Sequence, residues 1–176
     1  MNRWIGLLLA IGSVCFAIGP FPGYVHLVGA GADAATFFVG SIFFTSAALL
    51  QLIQERGWAT AIQFAGTLFF NRSTFLALDA SNEASLIWRP DAFGSVCFLV
   101  ASWLAWREDR DRISVLNLAG SVFFGISAVA AYIVPSTGDA LDLAAANLNT
   151  VLGALCFLAG GILLMPRRPA VESVST

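Results

Sequence analysis

Six apolar runs, at residues 4–19, 34–54, 58–78, 90–106, 113–134 and 144–165, make up most of this 176-residue chain. A helix needs about 20 apolar residues to cross about 30 Å of hydrocarbon at its 1.5 Å rise per residue. Runs of this length, separated by short polar connections, favour helices in lipid, where each segment satisfies its own backbone N–H and C=O groups. Charged residues are 11% of the chain, against roughly a quarter in soluble domains. The fold expected is therefore all-α: an integral membrane bundle of six transmembrane helices over residues 1–166, with a short cytoplasmic tail at 167–176.

Arginine placement orients the bundle. With a cytoplasmic N-terminus, Arg3, Arg56, Arg107, Arg110, Arg112, Arg167 and Arg168 fall inside, and the outer loops carry only Arg89. That is the asymmetry of the positive-inside rule, and it expects both termini in the cytoplasm with an even number of spans. Reading the first run as a cleaved signal peptide, with "AGA" at 30–32 as the processing site, would leave five spans and spoil this balance. The "VPSTG" at 134–138, followed by an apolar run and two arginines, imitates a wall-sorting signal, which makes little physical sense after five other spans.

Each run also carries a pentad that starts with glycine and ends with phenylalanine. These are Gly12 to Phe16, Gly40 to Phe44, Gly66 to Phe70, Gly94 to Phe98, Gly120 to Phe124 and Gly153 to Phe157. Glycine and serine let helix backbones approach, and phenylalanine fills the adjoining space, so close helix packing is the simplest role for the pentad. The spacing suggests internal repeats as three tandem hairpins. The residue identities also permit two inverted halves of three spans, an arrangement common in transporters.

The pentads, with "LIWRPDAFGSVCFLVAS" at 86–102 and "AGTLFFNRSTF" at 65–75, resemble the Gly-Ser-x-x-Phe helices of YrhK-like bacterial multi-spanning membrane proteins. The resemblance extends over most of the spans and implies a bacterial plasma (inner) membrane setting. It implies no catalytic residues.

Several chemistries are excluded by composition. All nine basic residues are Arg, so there is no lysine for a Schiff base, a phosphate-binding loop or a general base. One His cannot supply paired haem ligands or a His-rich zinc site. Cys15, Cys97 and Cys156 lie within apolar runs and are expected to be small packing groups. No catalytic constellation appears, and neither a cofactor nor a nucleic-acid partner is expected.

The polar residues within or beside the runs define the candidate ligand-binding residues. Asn71 and Arg72 interrupt the third run, and an arginine at that depth must snorkel, pair or face a cavity. Asp79, Glu83, Arg89 and Asp91 lie on the same outer side as its possible partners, with His26, Asp33, Asp139 and Asp142 nearby. If 79–87 were helical, Asp79 and Glu83 would share a face. Asp91 follows Pro90 at the expected start of the fourth span, where its carboxylate would complement the helix dipole. Trp4, Trp58, Trp88, Trp103 and Trp106 fall near expected interfaces, as in an aromatic belt.

Three functions compete. The first is binding or transport of a small anionic or amphiphilic molecule, such as a lipid headgroup, at a polar site in the outer half built from Asn71, Arg72, Asp79, Glu83, Arg89 and Asp91. The second is a non-catalytic accessory or assembly subunit of a larger membrane complex, and the third is a membrane enzyme. Membrane lipids, a small-molecule ligand, a second copy of the chain or another membrane subunit are the partners these readings imply.

Overall fold

A computed structural model describes residues 1–165. The expected tail at 167–176, with Arg167 and Arg168, lies outside the described residues. Among those residues the chain forms seven helices: α1 (Asn2–Ile18), α2 (Pro22–Val28), α3 (Ala30–Gln54), α4 (Trp58–Leu76), α5 (Ala84–Glu108), α6 (Arg112–Ala130) and α7 (Leu143–Leu164). They form no strand, only one isolated antiparallel bridge between Ile133 and Ala140.

Local chemistry sets the boundaries. Asp111 caps α6 by accepting from the Ser114 N–H at 2.7 Å, and Asp142 caps α7 by accepting from the Ala145 N–H at 2.9 Å. The turn-rich "GPFPGY" holds a helix that the sequence reading did not expect. Pro22 starts α2, and Gly29, at φ 85°, ends it and opens α3. Helix α5 begins at Ala84, six residues before the expected start, so Pro90 lies inside it rather than in its first turn. The expected dipole role of Asp91 is lost with that shift.

The six long helices close into a ring. Each packs against its neighbour in the chain, and α7 packs back on α1. Contact between backbones explains the glycines. A methyl group at Gly66 would stand 2.8 Å from the Phe98 ring, and one at Gly12 would stand 2.9 Å from the Gly40 carbonyl. Gly153 is as tight, between the Phe124 ring and the Gly120 carbonyl. Gly6 and Gly161 make the corresponding approach where α1 meets α7. On the axis, Phe16, Phe44, Phe70, Phe98, Phe124 and Phe157 are all buried and pack mainly edge to face, with centroids 5.0–6.5 Å apart. The last residue of every pentad thus contributes to one aromatic plug.

By length and composition, α3, α6 and α7 are long and apolar enough to cross a membrane. The pair α1 and α2, bent by 91°, makes a fourth if it counts as one span. Three to four such helices are fewer than the six expected, because α4 carries Gln63, Asn71 and Arg72, and α5 carries Arg89, Asp91 and Arg107. Large apolar side chains such as Val39, Ile42, Val122, Leu155 and Ile162 are exposed on the outside of the ring.

Candidate functional site

Beyond the plug, at the end where α1, α4 and α6 finish and α3, α5 and α7 begin, the six long helices line an open cavity of about 340 Å³. Helical periodicity determines which residues reach it. In the helices running toward this end, the third residue after the core phenylalanine returns to the inner face: Gly19, Ser73 and Ser127. In those running away, the seventh residue before it does so: Phe37, Asp91 and Thr150. Five of the six line the cavity. The sixth, Gly19, packs under the Phe37 ring.

A smaller cell of about 30 Å³ lies between Asp91, Ser95, Ser127 and Thr150 and the plug rings Phe16, Phe70 and Phe124. It has room for a single small polar group. Ser127 and Thr150 beside it, and Ser73 in the larger cavity, are held in place by hydrogen bonds. Ser127 Oγ lies 2.9 Å from the Ala146 carbonyl it donates to and 2.7 Å from Thr150 Oγ1. Ser73 Oγ donates to the Ile87 carbonyl at 2.8 Å. In contrast, the Asp91 carboxylate forms no ion pair and no hydrogen bond with any described residue. Apolar groups, including Phe16, Phe37, Ile87 and Leu143, complete the wall. A carboxylate in such surroundings is stabilised by a proton, by water or by a counter-charge.

Of the six candidate residues, only Asp91 faces this space. Arg72 is exposed. It lies two residues past the core Phe70, about 200° around the helix, and therefore on the outer face. Asn71 is half-buried, and its Oδ1 is without a partner. Asp79, Glu83 and Arg89 are exposed. Asp79 and Glu83 precede α5 and share no helical face. Asp79 Oδ1 instead accepts from the Ser81 N–H at 2.9 Å and the Ser81 hydroxyl at 2.7 Å, which holds its carboxyl below the usual carboxylate range. Glu83 is the N-terminal flanking residue of α5 and makes no capping bond. Among the described residues no ion pair links Arg72 or Arg89 to an acid, and no three His, Cys, Asp or Glu side chains converge as a metal site would require.

Trp88 has a different place from the one expected. Rather than joining an aromatic belt, it is half-buried at the cavity wall. Its Nε1–H donates to the Ala128 carbonyl at 2.8 Å, and its ring meets Tyr132 edge-on at 5.0 Å. These contacts tie α5 to the end of α6. The cavity thus draws Trp88 and Asp91 from α5 and Ser127 from α6, Ser95 of α5 lines the smaller cell, and Ala131, Ile133 and Ala140, at the end of α6 and in the turn after it, line the cavity's margin.

Residues 84–136 match the YrhK-like protein family. Of the two stretches that carried the resemblance, 86–102 lies within this match and 65–75 lies outside it. The YrhK-like segment comprises α5, α6 and the start of the following turn, and it contains the one cavity-facing carboxylate and the Trp88 tie. No curated protein and no solved structure matches the chain.

Ser73, Ser127, Thr150 and the inward role of Trp88 are absent from the sequence-based set. A signal for the first three existed in their three- and seven-residue offsets from the pentad phenylalanines. No comparable signal marked Trp88.

Proposed function

We propose that this chain is a six-span protein of the bacterial plasma membrane, with both termini cytoplasmic, that binds or transports a small organic cation at Asp91 in the outer half of the ring. One observation carries the ligand's charge: among the described residues Asp91 is the single charged group lining a largely apolar axial cavity, and it has no ion-pair partner among them. An ammonium head would find a carboxylate, hydroxyl acceptors at Ser127 and Thr150, and apolar walls for its alkyl groups. The anion considered from the sequence depended on Arg72, which lies on the outer face.

The membrane setting is supported by the apolar exterior and by Trp4, Trp58 and Trp103, which are exposed at the ring end that also carries Arg3, Arg56 and Arg107. The glycine contacts between Gly12 and Gly40, Gly66 and Gly94, and Gly120 and Gly153 favour three tandem hairpins over two inverted halves.

Equilibrium binding of tetramethylammonium to the protein in lipid nanodiscs tests this reading. Asp91→Asn should weaken binding at least tenfold, about 1.4 kcal/mol. If the wild type takes up no ammonium ion, or Asp91→Asn binds as well as the wild type, the cation site is wrong and the accessory-subunit function becomes the better account.

A further inference from the structure

Between α5 and α6 the outer wall of the ring opens into a groove of about 510 Å³. Its lining is almost wholly apolar. Helix α5 supplies Val96 and Leu99, and α6 supplies Val122, Ile126 and Val129, all of them exposed on the outside of the ring. Gly125 deepens the groove by giving α6 no side chain there, and a Cβ at that position would meet no atom within 4 Å. From Trp88 to Leu99 the groove follows α5 for about 16 Å, close to the ~15 Å of half a hydrocarbon core.

The groove and the axial cavity share a wall one side chain thick. Trp88 lines both spaces, and Ser95 lines both the groove and the small cell beside Asp91. The tie across this wall is the hydrogen bond from the Trp88 indole to the Ala128 carbonyl, near the end of α6, together with the edge-on contact of its ring with Tyr132.

Resting on the Asp91 reading, we propose that the α5–α6 groove is a lateral portal and tail seat for a membrane-dissolved amphiphilic amine. The cationic head passes Trp88 to reach Asp91, while the alkyl chain stays between α5 and α6. The arrangement assigns each part of the ligand to a surface of matching polarity. It also explains why a carboxylate and an open apolar groove meet at the same tryptophan.

Two probes in lipid nanodiscs separate the portal from the charge site: tetramethylammonium, which has a head alone, and dodecyltrimethylammonium, which adds a tail. The wild type should bind the long-chain probe at least tenfold more tightly, measured against its concentration in the bilayer. Gly125→Leu, whose Cβ would meet no atom within 4 Å, puts a side chain into the groove and should remove that advantage while leaving tetramethylammonium binding within twofold. Val122→Phe, from a second exposed position, should do the same, and retained tetramethylammonium binding reports an intact fold. If both variants keep the long-chain preference, or the wild type never shows it, the portal is overturned while the Asp91 site stands. If the variants weaken both probes equally, the groove is no separate tail seat. If the wild type binds neither probe, the Asp91 reading fails and the portal with it.

Discussion

The pair α1 and α3 and the pair α4 and α5 use the same contacts at the level of the aromatic plug and different ones beyond it. In each pair two glycines bring the backbones together and two phenylalanines enter the axis. At the next inward positions, α1 and α3 place Gly19 and Phe37, whereas α4 and α5 place Ser73 and Asp91. Phe37 lies over Gly19 and meets Phe16 edge-on at 5.4 Å, so its sector of the ring is filled. Asp91 and Ser73 are smaller and polar, and their sector contributes to the cavity. The cavity thus comes from changing residues in one layer of a scaffold that elsewhere stays close-packed.

Substitutions that exchange the two sectors should have the largest effect. Asp91→Phe puts an aromatic ring where Phe37 stands in the other pair, and it should reduce tetramethylammonium binding more than 100-fold, about 2.8 kcal/mol. Retained binding in nanodiscs would place the ligand elsewhere. The reverse change, Phe37→Ala, opens the filled sector. Because Phe37 is half-buried, it should cost about 2–3 kcal/mol, less than the loss of a fully buried phenylalanine, read as a lowered unfolding midpoint.

The paired small residues give a finer test. Gly19→Ala drives a methyl group into the Phe37 ring and should destabilise by about 1–2 kcal/mol, although the helical φ of Gly19 would accept alanine. Ser73→Ala loses only the hydrogen bond to the Ile87 carbonyl, about 1 kcal/mol or less. Equal costs in parallel unfolding measurements would mean that the two sectors do not differ in packing. Arg72→Leu should change least, leaving both the unfolding midpoint and ammonium binding within twofold of the wild type. A larger loss of binding would return Arg72 to the site.

The long helices were legible because apolar runs report length directly, and the glycines and phenylalanines of the plug were legible as packing groups. Helix α2 was hidden because proline and glycine signal a turn, although Pro22 in fact begins a helix. The start of α5 was misplaced because a proline suits a first turn, and nothing in "SNEASLI" displaced that assignment. Arg72 illustrates a different limit: hydropathy gives depth along a helix but not the face. The face could have been read by counting from Phe70, which sends Arg72 outward and Ser73 and Thr74 inward. Asp91 was identified, but its cavity requires six helices to meet, a relation no single run contains.

Because α7 returns to α1, the ring has no structurally privileged first helix. Asn2 and Arg3 share a surface pocket with Leu164 and Met165, and Gln54 beside them donates to the Asn2 side chain at 2.8 Å. Chain order is therefore separable from architecture. A circular permutant that leads from α7 to α1 through a flexible connection after Met165 and opens the chain between Gln54 and Trp58 would keep the pentad glycine contacts and the whole plug. The connections at that end can be treated as interchangeable seams, any one of which could be cut to place a reporter or affinity handle far from Asp91.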